Sequence, residues 1–535
     1  MNTGIADDPA VDDSRSAVHH LVRAAAIVPV VFAVVFAVWG HSELAALTVP
    51  VAVHAVLVVF SLEASRLLAL PVRLDGLTLF TAWEAARGCV APVLIQYVGN
   101  GSAFHYRLGS VDDTRTVLFL GSGFFASAIA ARLVCGLVLP RGPGGGRRQV
   151  ACLRPSVIPT WALVLVGCVG MVIRFPSPAA VAGFLSGAIE QLQGNDQIGS
   201  GGLLLLGMVL RPLLFIGLVL ELRRRRAAGR PWLWLLLPLG LVLVFGLASY
   251  GLNRATVAYA VFAAAFVFLD RSRRRLRIAP MIAAVSALGM FFVGVGTLRA
   301  TLWVSRTALD APTIGIVPAL QSVIPYFGTP MQLAVALPWI RASNPFGIET
   351  FGLSLLSPVP GAPDVARTAS STAVYNHVVY HSFLGKDQLL PTWFEGYLCF
   401  GVIGVIGAGV AAAILLCVSD VLRIRTNTML SAYGSALLML WTAQAGVTSF
   451  GVIEQNIIYF VLVPLLLGLL GTPNEAAAST INERSQREAP HALRHLRSDR
   501  GVPRNAHGRD PGQSPRRRPC GGRSRRHRCR PVVPW

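Results

Sequence analysis

Apolar residues run together along most of this chain in blocks long enough to be membrane segments. A bilayer core takes about 20 consecutive apolar residues per helix. Twelve stretches approach or meet that length: 22–40, 44–62, 76–98, 116–139, 157–174, 201–221, 232–249, 255–269, 278–298, 396–418, 431–447 and 455–471. Each is expected to be a helix, because lipid supplies no water to satisfy open backbone N–H and C=O groups. The eighth stretch is short and follows a Gly251-Leu252-Asn253-Arg254 turn, which predicts a hairpin with the seventh. Between the ninth and tenth stretches, residues 299–395 break the pattern. This segment has apolar runs of its own (314–320, 331–340, 351–356), aromatics, and turn signals at Asn344-Pro345 and Pro358-Val359-Pro360-Gly361. It reads as a folded, partly helical unit on the membrane surface, since loops of this length are usually functional or disordered.

Polar positions orient these stretches. With the N-terminus inside, the loops 63–75, 140–156, 222–231, 270–277 and 419–430 face the cytoplasm and hold 18 Arg, whereas the short loops facing the other way hold Arg107, Arg115 and Arg254. That is the asymmetry of the positive-inside rule. The first 20 residues carry Asp7, Asp8, Asp12 and Asp13 and no basic leader, so the first stretch reads as a retained helix. The expected fold is an all-α polytopic membrane protein with about 12 transmembrane helices, one large external loop and both termini cytoplasmic, in the inner (plasma) membrane of a cell. Its parts are a cytoplasmic N-terminal segment (1–21), helices one to nine (22–298), the external loop (299–395), helices ten to twelve (396–471) and a basic cytoplasmic tail (472–535).

Composition narrows the class. Of 535 residues, 53% are hydrophobic and 14% charged, against about 25% charged in soluble domains. The formal net charge of +21 first suggests nucleic acid. However, 15 Arg against five acidic residues lie in the tail, which is rich in Pro, Gly and Arg and is expected to be disordered. Its charge suits anionic inner-leaflet lipid better than nucleic acid. The eight Cys show no metal-ligand spacing, and neither a P-loop nor a dinucleotide fingerprint is present, so no metal or cofactor is expected.

Candidate chemistry lies on the side where positive charge is least expected. Arg299, Arg306, Arg341, Arg367 and Lys386 in the long loop, with Arg254, carry nearly all the external positive charge. Arginine suits bidentate grasp of phosphate oxygens, and six cations would suit a diphosphate head group. His377 and His381 share a face if their segment is helical, and either is a candidate general base for a sugar hydroxyl. Asp364 and Glu395 are further acid–base candidates; Glu395 is equally suited to the N-terminus of a following helix. Within the apolar stretches, Glu84 and Arg87 at i,i+3 can satisfy each other as a structural pair, and Arg132 and Arg211 are further intramembrane charges of the kind that default to functional candidates.

The run Leu389-Leu390-Pro391-Thr392-Trp393-Phe394-Glu395-Gly396-Tyr397-Leu398-Cys399-Phe400-Gly401-Val402-Ile403-Gly404 resembles a stretch of the bacterial oligosaccharide repeat-unit polymerases of the O-antigen polymerase type. There a long external loop feeds a helix through an acidic residue, an aromatic and Phe-Gly. The run Tyr250-Gly251-Leu252-Asn253-Arg254-Ala255-Thr256 resembles the Ser-Arg-small entry to another helix of that superfamily, and Arg341 and Gly352 match its Arg-x10-Gly spacing. Asn376-His377 departs from the His-Asn order of the ligase branch. The likeness covers roughly residues 230–470. It implies glycosyl transfer at the outer surface from a polyprenyl-diphosphate-linked oligosaccharide to a second lipid-linked unit, with no metal, nucleotide sugar or ATP. Membrane lipid, a flippase and a chain-length regulator would be its partners. On that reading Arg254, Arg299, Arg306, Arg341 and Arg367 bind the diphosphate, and His377 leads the candidate bases ahead of His381, Asp364 and Glu395.

Two other classes stay open. Another lipid-linked-sugar glycosyltransferase or ligase would usually place an acidic motif in the first external loop; here that loop is only about 41–43, although Asp112-Asp113 lies in the second. A non-enzymatic polysaccharide or lipid flippase or transporter would show a charged inner path and internal symmetry.

Overall fold

The computed structural model describes residues 42–68, 74–92, 110–138, 158–175, 177, 202–249, 254–270, 294, 329–342, 344–359, 362–380 and 390–470 without 427, with single positions at 27, 30, 31, 34 and 35. The expectations for 1–21 and 472–535, for 22–40 and 278–298 apart from the single positions just named, and for Arg299, Arg306, His381 and Lys386, lie outside them. Every element among the described residues is helical. They are α1 (Ser42–Leu68), α2 (Gly76–Ala85), α3 (Val111–Val138), α4 (Thr160–Arg174), α5 (Gly202–Leu210), α6 (Pro212–Ala227), α7 (Leu236–Ser249) and α8 (Arg254–Asp270). Then follow α9 (Thr329–Ala342), α10 (Ile348–Leu356), α11 (Asp364–Thr368), α12 (Ser371–Tyr380), α13 (Thr392–Arg425), α14 (Met429–Ala443) and α15 (Phe450–Leu470). Ten of the twelve apolar stretches coincide with helices, and four helices are long and apolar enough to cross a membrane: α1, α3, α13 and α15.

The bundle has an apolar core, and parts of its outer face are apolar as well. Val49, Val53, Val56 and Phe60 form an exposed stripe on α1, and Val402, Ile406, Val410, Ile414 and Val418 form another on α13. Both stripes follow the i,i+3/i+4 spacing of one helix face. Inside, next to Phe80, Phe124 and Phe125, sit His54, Glu84, Arg87, Arg132 and Asp420, all buried. Apolar surface on this scale needs an apolar environment, and buried charge needs a protein partner.

Asp420 supplies the main partner. Arg132 Nη2 donates to its Oδ2 at 2.7 Å, Arg423 lies 3.5 Å from Oδ1, and the Gly76 N–H that opens α2 donates at 3.0 Å. Asp75, also buried, caps α2 through the Thr78 N–H and accepts from Ser65 of α1. Helices α1, α2, α3 and α13 are thus pinned together at one end. Further contacts set their directions: Leu68 meets Gly136, His54 meets Ser122, and Trp393 meets Gly121, so α1, α3 and α13 run one way and α2 runs the other. Helix α4 runs antiparallel to α5 and α6, with the Gly167 and Gly170 backbones against Leu214 and Arg211. Helix α14 runs antiparallel to α15 through Gly434 against Leu465 and Gly468 against Ser431. Small residues permit these close approaches where apolar burial alone gives little drive between helices. Helices α7 and α8 pack as the expected neighbours, Gly246 facing Val257.

Helix α13 is sharply bent. Gly401 adopts φ +64 inside it, a left-handed conformation that only glycine takes without strain. The arm 392–400 folds back on 402–425 so closely that the Gly396 and Gly404 backbones touch and neither position has room for a Cβ. At 1.5 Å rise per residue, Gly401 stands about 28 Å from Asp420. Trp393, level with Gly121 on α3, stands only about 17 Å from the layer of Arg132 by the same rise. The arm therefore re-enters the bundle. Its first turn is held there by Thr392, whose N–H donates to Ala445 and Thr448 carbonyls at 3.1 and 2.9 Å and whose hydroxyl donates to Ala445 O at 2.7 Å.

Removing Asp420 should cost far more than removing one of its cations. Asp420→Ala leaves Arg132 and Arg423 buried without their carboxylate, a loss of about 3–5 kcal/mol. Arg132→Met leaves Asp420 with Arg423 and the Gly76 N–H and should cost less than half of that. Thermal unfolding in one detergent orders the two, and equal losses would show that Asp420 is not the shared partner.

Candidate functional site

Helices α9 to α12 gather at the end of the bundle away from Asp420. The buried carboxylate of Glu395, at the start of the re-entrant arm, ties α10 and α12 to the bundle. Ser354 of α10 donates to its Oε1 at 2.6 Å, Ser371 at the start of α12 donates to the same oxygen, and the Phe450 N–H that opens α15 donates to Oε2 at 2.8 Å. Glu395 lies in the first turn of its own helix, as expected, but it makes no cap hydrogen bond there; the helix N-terminus its carboxylate accepts from is that of α15, 55 residues downstream. A carboxylate there offsets the positive end of the helix dipole. Ser449 caps the same turn through the Val452 N–H. Phe351 of α10 seats between Phe400 and Phe450 at ring distances of 5.2 and 5.5 Å, and Asn344 Nδ2 donates to Leu398 O at 3.2 Å.

Helix α9 reaches α3 through Arg341, whose Nη1 donates to Asp113 Oδ1 at 3.0 Å. The Arg341 side chain is 58% exposed, while Asp113 is nearly buried and also accepts from Ser110. Asp364 and His377 are exposed on α11 and α12, and His377 lies six residues along α12 from Ser371, about 9 Å by helical rise. Arg254 opens α8 and Arg367 lies in α11, with only their backbones described. Gly352 lies on α10 in open space, so crowding does not dictate glycine there. Of the nine candidates, the structure brings Arg341 onto Asp113 and Glu395 onto α10, α12 and α15, and it places Asp364 and His377 in the same group of helices. Among the described residues no group of three His, Cys, Asp or Glu side chains is arranged to hold a metal ion.

A second polar group lies inside the bundle and has a member that the sequence reading missed. Glu84 and Arg87 pair as their spacing predicts. Beside them is His54 of α1, 2% exposed, with Nδ1 3.0 Å from Ser122 Oγ and Nε2 3.9 Å from Glu84 Oε2. Arg87 sits in a π turn, Ala86–Val90, that continues α2; such turns widen a helix locally and recur at functional sites. A small cavity is lined by these three side chains together with Trp393 and Gly446. No hydropathy signal marks His54, because one histidine in an apolar run is ordinarily core.

Glu395→Ala should strand three buried donors and destabilise the protein by about 3 kcal/mol or more. Glu395→Gln, which keeps one acceptor oxygen, should lose roughly half as much. The α10–α12 region should at the same time become sensitive to limited proteolysis. Unchanged cleavage within 344–380 in Glu395→Ala would mean that Glu395 does not anchor this cap.

Comparison with models of known protein families, with curated proteins and with solved structures finds no match to this chain.

Proposed function

We propose that this chain is a twelve-span polymerase of the inner (plasma) membrane, with both termini cytoplasmic. It would join polyprenyl-diphosphate-linked oligosaccharide repeat units into a surface polysaccharide by glycosyl transfer at the outer face. One observation carries the reading: α9 to α12, from the one long interruption of the apolar pattern, are built onto the bundle end opposite the Asp420 node. Glu395 fastens α10 and α12, and Arg341 of α9 holds Asp113 of α3 from a largely exposed side chain. The helix directions support the orientation. The ends of α3 and α13 that lead into arginine-rich loops meet at the Asp420 node, and the corresponding end of α6 meets the start of α14, just past α13, through Arg223 and Met429, as alternating spans with Arg inside require. The resemblance of 389–404 and 250–256 to the repeat-unit polymerases supports the chemistry.

On this reading a sugar hydroxyl of the acceptor attacks the anomeric carbon of the donor. The new C–O bond forms as the bond to the polyprenyl diphosphate breaks, the diphosphate leaves with the electron pair, and the hydroxyl proton passes to a base. Arg341, with Arg254, Arg299, Arg306 and Arg367, offsets the charge that grows on the leaving diphosphate. An exposed ion pair is worth about 1 kcal/mol or less, so a diphosphate competes readily with Asp113 for Arg341. His377, exposed on α12, is the leading candidate for the base on this reading, with Asp364 and His381 as the other candidates. Glu395, with both oxygens occupied, fits positioning of the cap better than proton transfer.

Full-length protein in nanodiscs, given a synthetic polyprenyl-diphosphate oligosaccharide, should yield a ladder of products. Arg341→Ala should slow the ladder roughly 10- to 100-fold, the worth of a charge-assisted hydrogen bond. Movement of the lipid-linked substrate across the bilayer with no elongation would favour the transporter reading instead. Orientation has its own test. In a cysteine-free background, Ile348→Cys should react with an impermeant thiol reagent added to intact cells, and Ala228→Cys only after the membrane is opened. The reverse order would overturn the topology.

A further inference from the structure

The His54–Glu84–Arg87 group takes no part in the reaction proposed above, and its hydrogen-bond inventory is unbalanced. Ser122 Oγ has one hydrogen, and it donates that to Leu118 O at 2.9 Å. It can therefore only accept from His54 Nδ1, 3.0 Å away, so the neutral imidazole carries its proton on Nδ1 and a lone pair on Nε2. That lone pair faces Glu84 Oε2 across 3.9 Å, beyond direct hydrogen-bond reach even for a protonated ring. Glu84 Oε1 is taken by Arg87, and Nε2 has no hydrogen-bond partner among the described residues. Two buried acceptors aimed at each other are costly unless a donor lies between them.

The surroundings suit such a donor. The cavity lined by His54, Glu84, Arg87, Trp393 and Gly446 has room for about one water molecule. A water that donates two hydrogen bonds of about 2.8 Å each can bridge two acceptors at this separation. The spare N–H groups of Arg87 can hold the water oxygen. Two glycines make the space: a Cβ at Gly88 would enter the His54 ring, and one at Gly446 would enter the Arg87 guanidinium. The His54 ring is held flat on Phe125 at 5.2 Å, which fixes where Nε2 points. The other titratable groups nearby are Cys89, directed at Val51 O, and Tyr259 of α8 beside Arg87.

We propose that His54, Glu84 and Arg87 form a buried site that binds a single water molecule. The water donates one O–H to His54 Nε2 and the other to Glu84 Oε2, and its oxygen accepts from Arg87. The site ties α1, α2 and α3 together about 17 Å from the Asp420 layer, reckoned as 11 residues from Gly76 to Arg87 at 1.5 Å each. It is independent of the polymerase reading.

Magic-angle-spinning NMR of the full-length protein, labelled with 15N-histidine and embedded in lipid nanodiscs, tests this directly. The His54 signals, identified by their loss in His54→Asn, should report the neutral Nδ1–H tautomer at neutral pH with a cross-peak from water to the ring. Should that variant fail to accumulate, Ser122→Ala identifies the ring by shifting only its signals. Glu84→Gln, which takes away the carboxylate acceptor that holds the water's second O–H, should weaken the water cross-peak and keep the tautomer. An Nε2–H tautomer, an imidazolium at neutral pH, or a ring without water contact would each overturn the proposal.

Discussion

Asp420 accepts from Arg132 and Arg423 and from the first N–H of α2, and all three charged side chains are buried. Taking an isolated ion out of water costs several kcal/mol, so none of these groups is tolerable in the bundle alone. Together they satisfy one another, and the geometry that lets them do so fixes the ends of α2, α3 and α13 relative to each other. The consequences run along the helices. With α3 and α13 pinned at Arg132 and Asp420, parallel rise brings Gly409 against the Phe124 carbonyl and Ser127. With α2 pinned at Gly76, its π turn arrives level with Gly121, which is how Arg87 and His54 come to share one cavity.

The bundle's other end is built on a different constraint. A helix that simply continued through Gly401 would carry Trp393 and Glu395 away from the core. The positive φ at Gly401 returns the arm instead, and the small residues at 396 and 404 let it lie against its own continuation. Glu395 is thereby buried where its charge must be matched by protein donors, and the matching donors come from α10, α12 and α15. A single bend thus determines where the helices between 344 and 380 attach.

What could be read in the sequence was what depends on local composition. Ten apolar stretches fall on helices, and the Glu84–Arg87 pair follows from its spacing. The glycines of 396–404 were legible as part of a resemblance, though not as a bend, because a positive φ leaves no mark on hydropathy. The rest depends on pairing across the chain. Arg132 meets its carboxylate 288 residues away, Ser122 meets His54 across 68, and Glu395 meets Phe450 across 55. No periodicity encodes such pairs, since each partner alone looks like an isolated polar residue in an apolar run. Glu221 shows the intermediate case: its pairing with Arg224 and Arg225 is local and readable, while its bond from Thr160, which fastens α4 to α6, is not.

The two ends differ in how tightly their cations are committed. Arg132 and Arg423 spend their charge on a carboxylate they cannot leave without exposing all three groups to an apolar interior. Arg341 holds Asp113 from a side chain more than half in solvent, where water and salt already weaken the bond. A ligand anion with several oxygens gains more from such an arginine than a lone carboxylate does, because the planar guanidinium can donate to two oxygens at once. Charge placed inside the bundle therefore stabilises the fold, and charge placed on the cap stays exchangeable. On the reading proposed above, anion handling is best sought at Arg341 for that reason, even though among the described residues the larger number of cations and the stronger ion pairs lie at the opposite end.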